Sequence, residues 1–179
     1  MPEYIDLRSD TVSRPTKEMR RAMAEAEVGD DILRDDPTVI RLEEKAAEIL
    51  GMEAALFTVS GTMSNEIAVS IFCRPGDQAI VFADSHIYNL ETGAMAAIAG
   101  VQSRALPDSG GVYDSAALKK AVLTGSVQIP RSTILCLENT FHLNRGLALS
   151  PGEYAEAISI AREAGLSVFM DGARIFNAA

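Results

Sequence analysis

Along the chain, apolar positions recur first at helical spacing and later in short unbroken runs. Thr16 precedes a stretch that places Met19, Met23 and Ala26 on one helical face, the position of an N-cap. Thr38 opens a second such stretch, in which Val39, Leu42, Ala46, Ile49 and Leu50 share a face until Gly51 stops it. Between the two lies "VGDDILRDDPT", an acidic loop marked by glycine and proline. Beyond Gly51 the rhythm changes. "ALFTV" is a short apolar run expected to be a strand, and "SGTMSNEIAVSIF" reads as a turn plus a helix. "QAIVFA" and "SRALP" are expected strands, separated by "YNLETGAMAAIAG", expected to be one helix rich in small residues. "DSAALKKAVL" predicts a helix capped by Asp114, "STILCLE" a strand, "PGEYAEAISIAREAG" a helix closed by Gly165, and "LSVFMD" a strand.

Strands thus alternate with helices, and several strands are apolar without alternation. Strands covered on both faces in a parallel sheet read this way. The expected fold is α/β, a three-layer α/β/α domain on a mainly parallel sheet. Residues 1–50 form an N-terminal helical arm, and residues 51–179 form the α/β domain.

Bulk properties narrow the function. A chain of 179 residues, 47% hydrophobic and 23% charged, is globular rather than disordered. No apolar stretch approaches a membrane span. The start, "MPEYIDLRSD", has an early acid and no apolar signal core, so a cytoplasmic location is expected. A net charge of -9 argues against a nucleic-acid partner and suits an enzyme of small molecules. Cys73 and Cys136, set in "IFCRP" and "ILCLE", read as buried free thiols, and no metal-ligand spacing surrounds them.

Ligands of open α/β sheets bind at the carboxyl ends of the strands, and four polar clusters fall there. Ser60, Gly61 and Thr62 sit at a strand-to-helix junction, where free amides, two hydroxyls and the helix dipole hold a phosphate, or where Ser60 is simply an N-cap. His86 lies just past a strand, either as a packed or solvated ring or as one that stacks on a flat ligand and moves protons; Glu91 can orient it. "ENT" at 138–140 follows another strand. Asp171 closes the last strand with Arg174 three residues on. That pair is either a structural ion pair or an acid that keeps a pyridine nitrogen protonated beside a cation that binds ligand oxygens. No G-x-G-x-x-G follows the first strand, which argues against a dinucleotide-binding domain.

In series, "DLRSDTVSRPT", "VGDD…DDPTV", "EAALFTVSGTMSN", "HIYNLE", "ILCLENT" and "DGARIFNA" resemble the threonine aldolase/β-eliminating lyase family of pyridoxal phosphate (PLP) enzymes, which have the aspartate-aminotransferase type of fold. The resemblance covers nearly the whole chain and implies the N-terminal part of such an enzyme. It implies pyridoxal 5'-phosphate as cofactor and cleavage of β-hydroxy-α-amino acids, such as threonine and allo-threonine, to glycine and an aldehyde. By the same resemblance, Ser60, Gly61 and Thr62 hold the cofactor phosphate, and His86 stacks on the ring and takes part in proton transfer. Asp171 pairs with the ring nitrogen, Arg174 lies beside the phenolate oxygen and the substrate carboxylate, and Ser9 is a further carboxylate contact. No metal is implied, and a homo-oligomer, dimer or tetramer, with shared sites is.

The sequence also departs from the family. The family's Schiff-base lysine lies a few tens of residues after "DGAR", whereas this chain ends eight residues after Asp171 and has lysines only at Lys17, Lys45, Lys119 and Lys120. The chain is therefore expected to be a segment of a longer enzyme and inactive by itself. Leu33 and Arg34 stand where relatives commonly have tyrosine and glycine, and Gln128 stands where many have histidine; His142 is a candidate substitute base. Two alternatives remain open: a β-eliminating lyase acting on another amino acid, and a non-catalytic piece that keeps an assembly surface.

Overall fold

The unalternating apolar runs become the two central strands of a parallel sheet. The computed structural model describes residues 4–141, 143 and 145–179. The chain divides into two units, Met1–Phe57 and Thr58–Ala179.

In the first unit, a 3-10 turn at Asp10–Val12 precedes α1 (Lys17–Glu25) and α2 (Pro37–Leu50). Thr16 caps α1, its hydroxyl accepting from the Met19 amide at 3.2 Å. α2 starts one residue earlier than its periodicity implies, because Pro37 supplies a preset first-turn φ and Asp36 accepts from the Thr38 and Val39 amides, each at 2.9 Å. Gly51 ends α2 in the left-handed region, at φ 63°. Arg34 also holds a left-handed φ, 58°, which a glycine adopts without steric cost. Its guanidinium donates to Glu43 at 2.8 Å, and the other Glu43 oxygen accepts from the Phe57 amide at 2.8 Å.

The second unit holds α3 (Gly61–Phe72), β1 (Gln78–Phe82), α4 (His86–Asn89), α5 (Ala94–Ala97) and β2 (Gln102–Leu106). A small hairpin of β3 (Asp108–Ser109) and β4 (Val112–Tyr113) follows, then α6 (Ser115–Ala121), β5 (Ser132–Glu138), α7 (Pro151–Glu163), β6 (Ser167–Asp171) and α8 (Ile175–Ala178). Four strands pair in the order β2-β1-β5-β6, all parallel. Every residue of β1 and β5 is buried, as their composition requires. Ile80, Phe82, Leu135 and Leu137 face α6 and α7, while Ala79, Val81, Ile134 and Cys136 face the side of α3 and α5. These are the three expected layers.

Two expectations fail. "ALFTV" forms no strand: Leu56, Phe57 and Val59 are exposed and pair with no neighbour in a ladder. "YNLETGAMAAIAG" is not one helix: Thr92 and Gly93 take φ of 57° and 70°, which breaks it into the short helices α4 and α5.

Gln78, Tyr113 and Thr133 find partners inside this core. Gln78, at the amino end of β1, donates to the Ala121 carbonyl at 3.0 Å and to Ser132 Oγ at 2.8 Å. Gly110 and Gly111, both at positive φ, make the two-residue hairpin turn that swings Tyr113 inward. The Tyr113 ring stacks on Phe82 at 3.7 Å, and its hydroxyl donates to the Cys136 carbonyl at 2.7 Å. Both cysteines are free and buried as expected, and Thr133 Oγ1 donates to Cys73 Sγ at 3.1 Å.

Candidate active site

The carboxyl ends of β1, β5 and β6 lie together, with Glu138 opposite Asp171 in the ladder. Past β1 the chain turns sharply, Ser85 Oγ donating to the Phe82 carbonyl at 2.8 Å, and releases His86 at the start of α4. The His86 amide donates to Glu138 Oε2 at 2.6 Å, which ties this turn to the end of β5. Buried Tyr154, from α7, donates to the Glu138 carbonyl at 2.9 Å; burial and then the Glu138 charge push its phenol up to about 12.

A continuous polar chain runs from His86 to Asp171. His86 Nδ1 lies 2.8 Å from Glu91 Oε1, so with a carboxylate partner Nδ1 carries the proton. Asn65, from α3, donates through Nδ2 to the same Glu91 oxygen at 2.6 Å and to Asp171 Oδ2 at 3.0 Å. The other Asp171 oxygen accepts from the Ala173 amide at 3.1 Å. Next to Asn65, Glu66 is 7% exposed, and among the described residues neither of its carboxylate oxygens, nor Glu91 Oε2, has a hydrogen-bond partner. Burial first, then the Glu91 charge, raises the Glu66 pKa. One ligand atom from each of His86, Glu91 and Asp171 falls within 4.8 Å of the others, a set with the donor types of a cation site. Glu91 Oε1 and both Asp171 oxygens already take part in the contacts just described.

At the N-terminus of α3, Ser60 is the cap, its hydroxyl accepting from the Met63 amide at 3.1 Å. Gly61 and Thr62 are exposed in the first turn, and a Cβ placed on Gly61 would meet nothing within 4 Å. The chain's own packing therefore does not require a glycine there. Ser60, Thr62 and Glu66, with apolar Met63, Ile67 and Ile98, line a cavity of about 530 Å³. Arg174 opens α8, half-buried, three residues after Asp171. Ser9 belongs to the first unit, where its hydroxyl accepts from the Thr11 amide at 3.2 Å. His142 lies outside the described residues.

Sequence patterns pointed to His86, Glu91 and Asp171 but not to Asn65, Glu66 or the tether made by Glu138. Asn65 and Glu66 sit inside an ordinary helical run, and the partners of Asn65 are 26 and 106 residues away.

A family model described as beta-eliminating lyase matches residues 6–179. A probable low-specificity L-threonine aldolase 2 of Arabidopsis thaliana is 45% identical, over 97% of this chain and 50% of its own length. The low specificity L-threonine aldolase of Escherichia coli is 42% identical, over 97% of this chain and 52% of its own. The chain thus spans about half the length of these relatives. Among solved structures, a threonine aldolase of Leishmania major matches with a TM-score of 0.60 and 29% identity, over 66% of this chain and 34% of that one. A putative L-allo-threonine aldolase of Listeria monocytogenes shares the fold, with a TM-score of 0.69 and 21% identity, over 92% of this chain and 46% of that one. With the matched region running from Asp6 to Ala179, the chain belongs to the beta-eliminating lyase family.

Proposed function

We propose that the protein acts as a PLP-dependent carbon–carbon lyase that cleaves β-hydroxy-α-amino acids to glycine and an aldehyde. The observation that carries this reading is the line His86–Glu91–Asn65–Asp171, laid across the strand ends beside an open helix N-terminus. The names of the aldolases similar to this chain support it.

The residues present suit the cofactor. Asp171 would meet the ring nitrogen and the His86 imidazole would cover the ring, and the two side chains stand close enough to share one flat group. The ligand atoms of His86 and Asp171 approach within 4.8 Å. The uncrowded face of Gly61 leaves room for a phosphate at the α3 amides and the Ser60 and Thr62 hydroxyls. When bound, the cofactor supplies an electron-accepting pyridinium and a carbonyl that condenses with the substrate amine. Asp171 holds the proton on the ring nitrogen, its carboxylate aimed by Asn65 and the Ala173 amide. His86, fixed through Nδ1 by Glu91, covers the ring face and takes the proton of the substrate hydroxyl. Arg174 binds the phenolate and substrate carboxylate oxygens.

The lysines of the second unit sit at the opposite end of the sheet. Lys119 and Lys120 occupy the last turn of α6, and Ala121 bonds Gln78 at the amino end of β1. β1 alone separates that end from the site by about 16 Å. Neither of these two lysines reaches the strand ends; since the resemblance places the Schiff-base lysine beyond the DGAR motif, residues 1–179 by themselves are expected to release no appreciable aldehyde.

The test supplies PLP with threonine or allo-threonine to the protein as the cell makes it, and in parallel to residues 1–179, and assays the products. Glycine and aldehyde in equal amounts from the former support the proposal. Ammonia with a keto acid would make the reaction a β-elimination, and robust aldehyde release by 1–179 would refute the lysine argument.

A further inference from the structure

We infer that Asn65 is a positioning residue that aims the Asp171 carboxylate at the cofactor's ring nitrogen and couples that acid to His86 through Glu91. The inference rests on the reading of Asp171 given above. Its ground is an unusual division of one amide: a single Nδ2 serves two carboxylates, Glu91 at 2.6 Å and Asp171 at 3.0 Å.

Without that donor the site is crowded with negative charge. Glu91 and Asp171 both lie against Asn65, Glu66 acts on Glu91 from the same helix as Asn65, and the His86 imidazole pairs with Glu91. Carboxylates packed together repel each other unless a donor lies between them. The Asn65 amide donates one hydrogen to each of Glu91 and Asp171 and adds no charge, which holds the two carboxylates at a fixed separation. Asn65 is 3% exposed, so water does not replace it. The same amide sets the spacing between Asp171 and the paired side chains of Glu91 and His86.

The experiment measures equilibrium binding, not turnover, in the protein as the cell makes it. The probes are PLP and its 1-deaza analogue, in which a C–H replaces the ring nitrogen. The variants are Asn65→Asp, isosteric but unable to donate, and Asn65→Ala, which removes the donor without adding charge. The native protein is expected to prefer PLP, and Asn65→Asp to reduce that preference by about tenfold, the equivalent of about 1.4 kcal/mol. Asn65→Ala is expected to reduce it in the same direction by less, and it decides the matter alone if Asn65→Asp does not fold. A purely structural role would weaken both probes equally and leave their ratio intact, which overturns the inference while Asp171 keeps its role. If the native protein does not distinguish the two probes, the reading of Asp171 fails and this one with it.

Discussion

Replacing Glu138 tests whether the strand ends and the His86 turn are held as one piece. Glu138 is 3% exposed, and its Oε2 accepts from the His86 amide at 2.6 Å. A hydrogen bond to a charged acceptor contributes about 1.5–3 kcal/mol, and truncation also strands a partly buried amide. Glu138→Ala is therefore expected to cost about 3 kcal/mol. Glu138→Gln keeps an acceptor oxygen at the same reach and loses only the assistance of the charge, about 1 kcal/mol. With a urea slope of about 1.5 kcal/mol per M, the midpoint falls by about 2 M for alanine and about 0.7 M for glutamine. The assay is urea unfolding followed by far-ultraviolet circular dichroism, with slopes compared to check that the same surface is exposed. Equal midpoints for the two variants would refute the tether. An alanine midpoint at or above the native one would show that burying the carboxylate costs more than the bond returns.

Two further outcomes are expected. Burial and the Glu91 charge raise the Glu66 pKa in the folded state, so its stability contribution is present below the ordinary value of 4.5 and is lost as pH rises through the folded pKa. Glu66→Gln should then melt above the native protein at neutral pH, with the gap closing below about pH 4.5; a variant that melts lower at pH 7 contradicts this. Gly61→Ala meets no atom of the chain and replaces a poor helix former, so thermal stability should hold or rise. Its PLP dissociation constant should nevertheless rise about tenfold, the loss of about 1.4 kcal/mol of phosphate contact, and unchanged binding would remove the phosphate from this helix end.

What could be read in the sequence was whatever local physics decides. The runs that became β1 and β5 are mostly apolar without alternation because helices cover both faces of the sheet there, and Thr16, Gly51 and Asp114 marked helix ends through their caps. Apolar character alone misled at "ALFTV", where Leu56, Phe57 and Val59 are exposed and unpaired with any strand. Helical spacing misled after His86: Thr92 and Gly93 turn the backbone once Glu91 has been brought inward to His86 and Asn65. The residue types at the strand ends were legible, but their wiring was not. Asn65 gains its meaning from Asp171, 106 positions later, and no periodicity records such a meeting.

Cys73 and Cys136 share the α3 side of the sheet, both buried, and burial raises the pKa of each thiol. Neither sulfur presents a reactive thiolate while the core stays shut, so alkylating reagents reach them only when the layers part. The protein thereby carries a built-in clock: the rate at which its sulfurs become modified counts how often the sheet and its helical cover separate.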